Sequence, residues 1–122
     1  MDITTVLLSI QSLLDSNPLH HEPGQEKNLS TTNNLYNAAI EYESISSLLL
    51  KNLLDTPPGY ECFQPIMKEK FIENQKEIHE KIKKHITTKP HKLFVPFYRI
   101  DIYVNYDELY QIFDSLSNEY GL

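Results

Sequence analysis

The sequence predicts a mainly α-helical protein with one short strand and a terminal helix appended. The chain of 122 residues contains only 3 glycines, while Leu, Ile, Glu and Lys, which are compatible with helices, are frequent. Apolar residues recur at helical spacing in four segments. Only the segment from Tyr98 to Val104 alternates apolar and polar residues like a half-buried strand. The length suits one domain.

The first helix is predicted from Ile3 to near Ser16. Asp2 is a suitable N-cap, and Pro18 disfavours helical geometry at the residue before it, so the helix is expected to end there. One face carries an apolar stripe: Ile3, Val6, Leu7, Ile10, Leu13 and Leu14. The one-sided stripe indicates a helix that packs against another layer.

A second strip on the same helix consists of Thr5, Leu8 and Ser12. Leu8 is the only large apolar residue of this strip. It is either an exposed leucine without a role, as is common on protein surfaces, or part of a contact surface. The pattern alone leaves both interpretations open.

A loop and a second helix are predicted next. Between residues 18 and 32 the chain is rich in Pro, Gly, His, Asn, Ser and Thr without periodicity, which is typical of a loop. The helix that follows is expected to start at a cap, Asn33 or Asn34, and to end at the segment 55–59. Its stripe consists of Leu35, Ala38, Ala39, Tyr42, Ile45, Leu49 and Leu53.

The third helix is predicted from about Cys62 to Ile86, with Pro65 tolerated in its first turn. Its stripe consists of Phe63, Met67, Phe71, Ile78, Ile82 and Ile86. A break at residues 87–90 separates it from the strand, for which we expect no convincing pairing partner in this chain. The last helix is predicted to open with Asn105 as cap and Glu108 three residues later. It carries Leu109, Phe113, Leu116 and Tyr120 and ends near Gly121.

Charge and hydropathy exclude two classes of partner. The net charge is −6, and the half up to Cys62 holds two Lys against eight acidic residues. The remaining half is balanced, with nine basic and nine acidic residues. Because nucleic-acid binding needs clustered positive charge, we expect no nucleic-acid partner. No apolar run reaches the length needed to cross a membrane, so we expect no membrane partner.

No catalytic or metal site is predicted from the residues alone. The single cysteine, Cys62, excludes an internal disulfide, favours a reducing compartment and is expected to be an inert, buried apolar residue. His79 and His85 are spaced too far apart to share one helix face. His20, His21 and Glu22 are adjacent, and adjacent side chains rarely bind one metal. We therefore expect no metal and no cofactor.

The opening block resembles a helix of the ubiquitin-conjugating enzymes. Residues 6–14 match a Val-Leu-Leu-Ser-Ile-x-Ser-Leu-Leu run that is followed in the family by Asn-Pro, here Asn17-Pro18. Gln11 and the loop ending Glu22-Pro23-Gly24 resemble the large class of ubiquitin-conjugating enzyme Z and the giant apoptosis-inhibitor conjugating enzyme. Later segments also resemble this class: Tyr36-Asn37 with Ile40 and Glu43, Pro96-Phe97, and the helix from Asn105 to Leu116.

The resemblance implies that residues 1–86 are the C-terminal helical part of an α+β ubiquitin-conjugating fold and residues 87–122 a C-terminal extension. In the family this helix follows the cysteine that carries ubiquitin as a thioester. Since Met1 lies just before the helix, we expect the chain to lack this nucleophile and the oxyanion-stabilising Asn, and to be inactive alone. Cys62 lies well after the matched helix and is not expected to replace the nucleophile.

The resemblance also implies two candidate sites. Leu8 and Ser12, on the strip with Thr5, match positions against which donor ubiquitin packs. Glu22 matches an acidic residue that lines the path of the acceptor lysine, where it would orient or desolvate the amine so that it attacks in the neutral form.

We therefore expect a cytoplasmic or nuclear protein that is a truncated or split ubiquitin-conjugating enzyme. Its expected partners are ubiquitin and either the missing N-terminal half or a protein that covers the apolar helix faces. Alone, it is expected to aggregate, dimerise or remain partly molten. Two alternatives stay open: a non-catalytic helical module that binds ubiquitin-pathway components, and an unrelated helical bundle.

Overall fold

The computed structural model describes residues 2–24, 30–96 and 98–122. Most of them are helical, which confirms the predicted fold class. The first elements are α1 (Ile3–Gln11), a 3₁₀ turn (Pro18–His21), α2 (Ser30–Glu43), a π-helical segment (Ser44–Lys51) and α3 (Asn52–Leu54). A second 3₁₀ turn (Glu61–Phe63), α4 (Gln64–Glu73), α5 (Gln75–Lys84), β1 (His91–Val95), β2 (Ile100–Val104) and α6 (Tyr106–Glu119) follow.

The hydrophobic core lies between the α2–α3 region, α5, the two strands and α6. Phe71 of α4 is fully buried, with its ring centroid 5.6 Å from those of both Phe113 and Tyr120. The other large side chains that are almost completely buried in this core are Leu50, Ile82, Val95, Leu109 and Leu116. Burial of such apolar surface is the main favourable contribution to folding.

The predicted strand has a partner, so the expectation that it stands alone is wrong. β1 pairs antiparallel with β2, with Val95 opposite Ile100 at the closed end. The β1 segment escaped sequence analysis because it is short and lies between two prolines, with only Leu93 and Val95 turned into the core. The observed strand starts at Ile100, since Tyr98 belongs to the turn between the strands.

The second predicted helix begins earlier and winds differently than expected. It starts at Ser30, so the prediction of a loop up to Thr32 and of a cap at Asn33 or Asn34 is wrong. The π-helical segment adds a residue to its turns and thereby shifts the phase of the apolar stripe. Leu50 is therefore fully buried, whereas the predicted Leu49 is only partly buried.

The third predicted helix is two helices. α4 ends and α5 begins at Asn74, whose backbone and side-chain N–H groups both donate to the Lys70 carbonyl, at 3.0 and 2.9 Å. Phe63 lies before α4 in the second 3₁₀ turn and is 53% exposed, so its predicted place in the core is wrong. Phe71, Ile78 and Ile82 are buried as predicted.

The predicted N-caps of the first and the last helix are confirmed. The Asp2 carboxylate accepts a hydrogen bond from the Thr5 amide at 2.8 Å, and the Asn105 side chain accepts one from the Glu108 amide at 3.1 Å. Gly121 follows α6 with a φ of +75°, as expected for a residue that ends a helix.

α1 differs from the other long helices in its exposure. The structure describes all of its residues, and none of them is buried. The helix ends at Gln11, several residues before the predicted end near Ser16, and Leu13 and Leu14 continue as tight turns. All members of the predicted apolar stripe are between 40% and 77% exposed. Across the described ranges, no helix is long and apolar enough to cross a membrane.

Candidate functional site

The predicted Glu22 lies in a loop that packs against α2 and reaches the turn of the hairpin. We call residues 15–24 together with Asn33, Asn37 and Tyr98 the loop site. Its central element is the 3₁₀ turn Pro18–His21, in which Leu19 is only 1% exposed. A buried leucine in the middle of a polar loop fixes the loop to the rest of the protein.

Two asparagines of α2 hold the loop site in place. The Asn37 side-chain NH₂ donates to the Ser16 carbonyl oxygen at 2.9 Å. The Asn33 side-chain nitrogen lies 2.7 Å from His20 Nε2. Asn33 is 5% exposed, and among the described residues its Oδ1 has no hydrogen-bond partner. The polar residues at the start of α2 thus anchor the loop, which explains why a segment without an apolar face is helical here.

The two neighbouring histidines of the loop contact different partners. His21 Nε2 lies 2.8 Å from Asp15 Oδ2, whereas His20 contacts α2. The hydrogen bond with His21, reinforced by one from the Asn17 amide, holds the pKa of Asp15 below its usual value. Within the described part of the chain, no three His, Cys, Asp or Glu side chains are grouped so that they could hold a metal ion.

Glu22 connects the loop to the hairpin. Its backbone amide donates to the Leu19 carbonyl at 3.1 Å, and its carboxylate accepts a hydrogen bond from the Tyr98 hydroxyl at 2.9 Å. This bond joins residues 76 positions apart in the sequence. The carboxylate beside it raises the pKa of Tyr98. Phe97, part of the Pro96-Phe97 match, lies outside the described residues.

The predicted ubiquitin strip lies on the exposed helix α1. The Thr5 hydroxyl donates to Asp2 Oδ1 at 3.0 Å, and the Ser12 hydroxyl donates to the Ser9 carbonyl at 2.6 Å. Leu8 is 61% exposed. Among the described residues, none of the hydrogen bonds that build the loop site involves this strip, so the structure keeps the two predicted sites separate.

Cys62 is exposed, and the expectation that it is buried is wrong. It lies in the 3₁₀ turn before α4, between Tyr60 and Phe63, whose rings stack with centroids 6.3 Å apart. Both rings are more than half exposed. The turn precedes the part of α4 that enters the core, so Cys62 and its neighbours remain on the surface.

Sequence analysis missed Tyr98 and Asn33 as parts of the site. The alternating pattern places Tyr98 in the strand, and the segment 96–99 contains no Gly or Asn that would indicate a turn with positive φ. The sequence predicts Asn33 only as a possible cap. The one signal for Asn33 is its position on the helix that directly follows the predicted loop.

Comparison with known proteins identifies one group of relatives. No protein-family model matches the chain. Ubiquitin-conjugating enzyme E2 Z of Homo sapiens is 37% identical over 73 residues, which are 58% of this chain and 20% of that enzyme. The Danio rerio enzyme of the same name is 36% identical over 73 residues, 58% of this chain and 22% of the enzyme. The chain thus spans about a fifth of the length of these relatives, and the identity supports a relationship to ubiquitin-conjugating enzymes.

Proposed function

We propose, starting from this relationship, that the protein acts in ubiquitin conjugation as part of a ubiquitin-conjugating fold. Residues 1–86 are then the C-terminal helical part of the fold and residues 87–122 an extension, as in the class that includes the giant apoptosis-inhibitor conjugating enzyme. The observation that carries the proposal is α1, which combines the family's sequence block with an apolar face on which no side chain is buried.

The partner of α1 in this proposal is the portion of a ubiquitin-conjugating fold that holds the ubiquitin-bearing cysteine. α1 and the tight turns that follow it offer apolar side chains that are each more than one-third exposed: Ile3, Val6, Leu7 and Ile10 on the helix, and Leu13 and Leu14 after it. Burying one side chain of this size contributes roughly 1.5–3 kcal/mol. Covering the face is therefore strongly favourable, and a sheet is the usual layer against which such a helix packs.

The strip of Thr5, Leu8 and Ser12 is proposed to face donor ubiquitin. Both hydroxyls already donate within the helix, so a partner can cover them without leaving an unsatisfied donor. Leu8 supplies the apolar contact. The sequence contains no charged residue between Asp2 and Asp15, so no charge has to be desolvated when the strip is covered.

Glu22 is proposed to line the path of the acceptor lysine. Its carboxylate accepts a hydrogen bond from an uncharged hydroxyl, that of Tyr98, and not from a Lys or Arg side chain. A carboxylate in this place would orient the amine and accept a hydrogen bond from it before attack on the thioester.

Titration of isotope-labelled ubiquitin with this protein, followed by NMR, tests the strip. We expect chemical-shift changes on ubiquitin that disappear with Leu8→Arg, because a charge would enter an apolar contact. Leu48→Arg is the matched control, since Leu48 is 71% exposed on the π-helical segment, outside the strip. Unchanged binding by Leu8→Arg would show that the strip is ordinary surface.

Incubation with activating enzyme, ubiquitin and ATP tests the place of the nucleophile. Cys62 lies after the matched helix and in an exposed turn far along the chain, so we expect no thioester on it. Non-reducing electrophoresis detects such an adduct, and Cys62→Ser is the control. A thioester that forms on the wild-type protein and is lost in Cys62→Ser would contradict the proposal.

A further inference from the structure

We infer that Tyr98 is a positioning residue for Glu22, and that the Tyr98 ring and the Glu22 carboxylate together form a seat for a lysine side chain. This inference rests on the proposed role of Glu22 in the acceptor path. It assigns part of that role to the hairpin, which lies in the proposed extension and far from Glu22 in sequence.

The hairpin holds Tyr98 firmly. Its closing pair is Val95 with Ile100, and Val95 is fully buried in the core. Leu93 anchors the middle of β1 and Val104 the far end of β2, with exposures of 8% and 4%. The turn that carries Tyr98 is therefore attached to two anchored strands, and the hydroxyl has a defined position over the loop site.

The backbone of this turn indicates that the tyrosine is present for its side chain. Tyr98 has a φ of +61° and Arg99 a φ of +52°. Left-handed geometry costs a residue with a side chain roughly 1–2 kcal/mol, and glycine or asparagine is the usual choice in such turns. Two bulky residues in this conformation suggest that the contact to Glu22 offsets the cost.

Glu22 is fixed from the other side. Its amide bond to Leu19 belongs to the 3₁₀ turn, and the loop before that turn is bound to α2 through Asn37 and Ser16. The backbone contacts thus fix the position of the Glu22 Cα, and the hydrogen bond from the Tyr98 hydroxyl fixes the position of one carboxylate oxygen.

The chemistry of the pair suits a lysine. Tyr98 is a neutral donor, so it orients the carboxylate without cancelling its charge, as Lys or Arg would do. A carboxylate can accept about four hydrogen bonds, so most of this capacity remains for an ammonium or amine group. The Tyr98 ring is 66% exposed and offers a face for the methylene groups and the cation of a lysine. A tyrosine hydroxyl is protonated at neutral pH, and Glu22 raises the pKa of Tyr98 further.

The test is an NMR titration of the full chain with Nα-acetyl-lysine methylamide, observing the Glu22 side-chain carboxyl. The norleucine analogue, which lacks the amine, is the ligand control. We expect an amine-dependent shift in the wild type and a Kd about fivefold higher in Tyr98→Phe, the effect of losing one ordinary hydrogen bond. Tyr103→Phe is the matched variant, since Tyr103 is also exposed, at 56%, and lies on β2; it should bind like the wild type.

A second measurement separates positioning from a merely structural role. The phenol of Tyr98, followed by site-specific labelling, should titrate at lower pH in Glu22→Gln than in the wild type, because the neighbouring anion is removed. Glu80→Gln is the control and should leave this titration unchanged, since Glu80 is exposed on α5.

The outcomes distinguish the inference from the proposed function. In Glu22→Gln, binding is followed on the resonances of the ligand. If this variant does not bind the lysine ligand while Tyr98→Phe binds it as the wild type does, the inference about Tyr98 is wrong. The proposed role of Glu22 would then still hold. If the wild type gives no amine-dependent response, the acceptor role of Glu22 is wrong and the lysine seat with it. A Kd about fivefold higher in Tyr98→Phe, together with no detectable binding by Glu22→Gln, supports the inference.

Discussion

The helices α1 and α5 have the same kind of apolar pattern in sequence, but they differ in the burial of their apolar residues. They have 9 and 10 residues, and each has apolar residues at helical spacing. In α5, Ile78 and Ile82 are buried, and the His79 ring stacks on Phe113 of α6 at 5.5 Å. In α1 no residue is buried. The comparison shows that an apolar stripe predicts a face, whereas burial depends on which layer is present to cover it.

The opposite faces of the two helices differ as well. The outer face of α5 is charged, with Lys81 and Glu77 paired at 3.3 Å, as is usual for a helix that borders solvent. α1 contains no charged residue on any face. Because α1 is uncharged, a partner can cover more than one of its faces without desolvating a charged side chain. This agrees with the proposal that one face of α1 meets a sheet and another meets ubiquitin.

The largest expected difference concerns truncation of a side chain in each region. Phe71→Ala should lower the free energy of unfolding by about 3–5 kcal/mol, since Phe71 is fully buried against Phe113 and Tyr120. Leu7→Ala, at a residue 58% exposed on α1, should change it by less than about 0.5 kcal/mol. Urea unfolding measured by circular dichroism gives both values. A large effect at Leu7 would mean that α1 is already covered in the isolated chain.

A second comparison tests the phase shift within the core region. Leu50→Ala should cost about 2–5 kcal/mol, because Leu50 is fully buried. Leu49→Ala should cost clearly less, because its side chain is only partly buried at the edge of the core. The same unfolding experiment measures both. If Leu49→Ala proved the more damaging variant, the regular helical phase would be correct and the π-helical segment wrong.

Alkaline pH should affect the core region and not α1. Burial, together with the charge of Glu41, raises the pKa of Tyr106 to about 12 from its usual value near 10. The folded state therefore favours the neutral phenol, and this contribution is complete below pH 10 and lost as the pH rises from about 10 to 12. It amounts to roughly 2 kcal/mol. Tyr106→Phe should flatten this part of the stability profile; an unchanged slope would contradict the assignment.

The smallest expected difference concerns the two caps. Asn105→Ala should lower the free energy of unfolding by about 1 kcal/mol, because α6 belongs to the cooperative core. Asp2→Ala removes an equivalent bond from α1 and should leave global unfolding unchanged. Amide hydrogen exchange should nevertheless increase at α1 in this variant. A global loss of stability in Asp2→Ala would show that α1 unfolds together with the core.

The sequence predicted the structural features that depend on residues close together in the chain. The caps at Asp2 and Asn105 involve residues three positions apart, so the sequence contains all the information they need. The β1–β2 pairing and the π-helical segment depend on tertiary packing. β1 becomes a strand because β2 pairs with it, and Leu50 replaces Leu49 in the core because the helix winding changes. Neither fact follows from local periodicity.

The candidate site was predicted only in part for the same reason. Glu22 and the strip around Leu8 came from resemblance to a family, and their functional roles remain proposals. The partner of Glu22 could not be predicted, because Tyr98 is distant in sequence and sits in a turn with an unusual backbone conformation. Cys62 was predicted to be buried and is exposed. A lone cysteine near an apolar stripe does not indicate which side of the turn its side chain occupies.

The uncharged, exposed α1 also has a consequence for the lifetime of the protein in the cell. Chaperones and proteases recognise uncovered apolar segments, and binding partners protect the states they select by mass action. A chain whose α1 is not covered should therefore be degraded faster than one in complex. If α1 is covered as proposed, the abundance of this protein should follow the supply of the covering partner, and the helix would couple assembly to turnover.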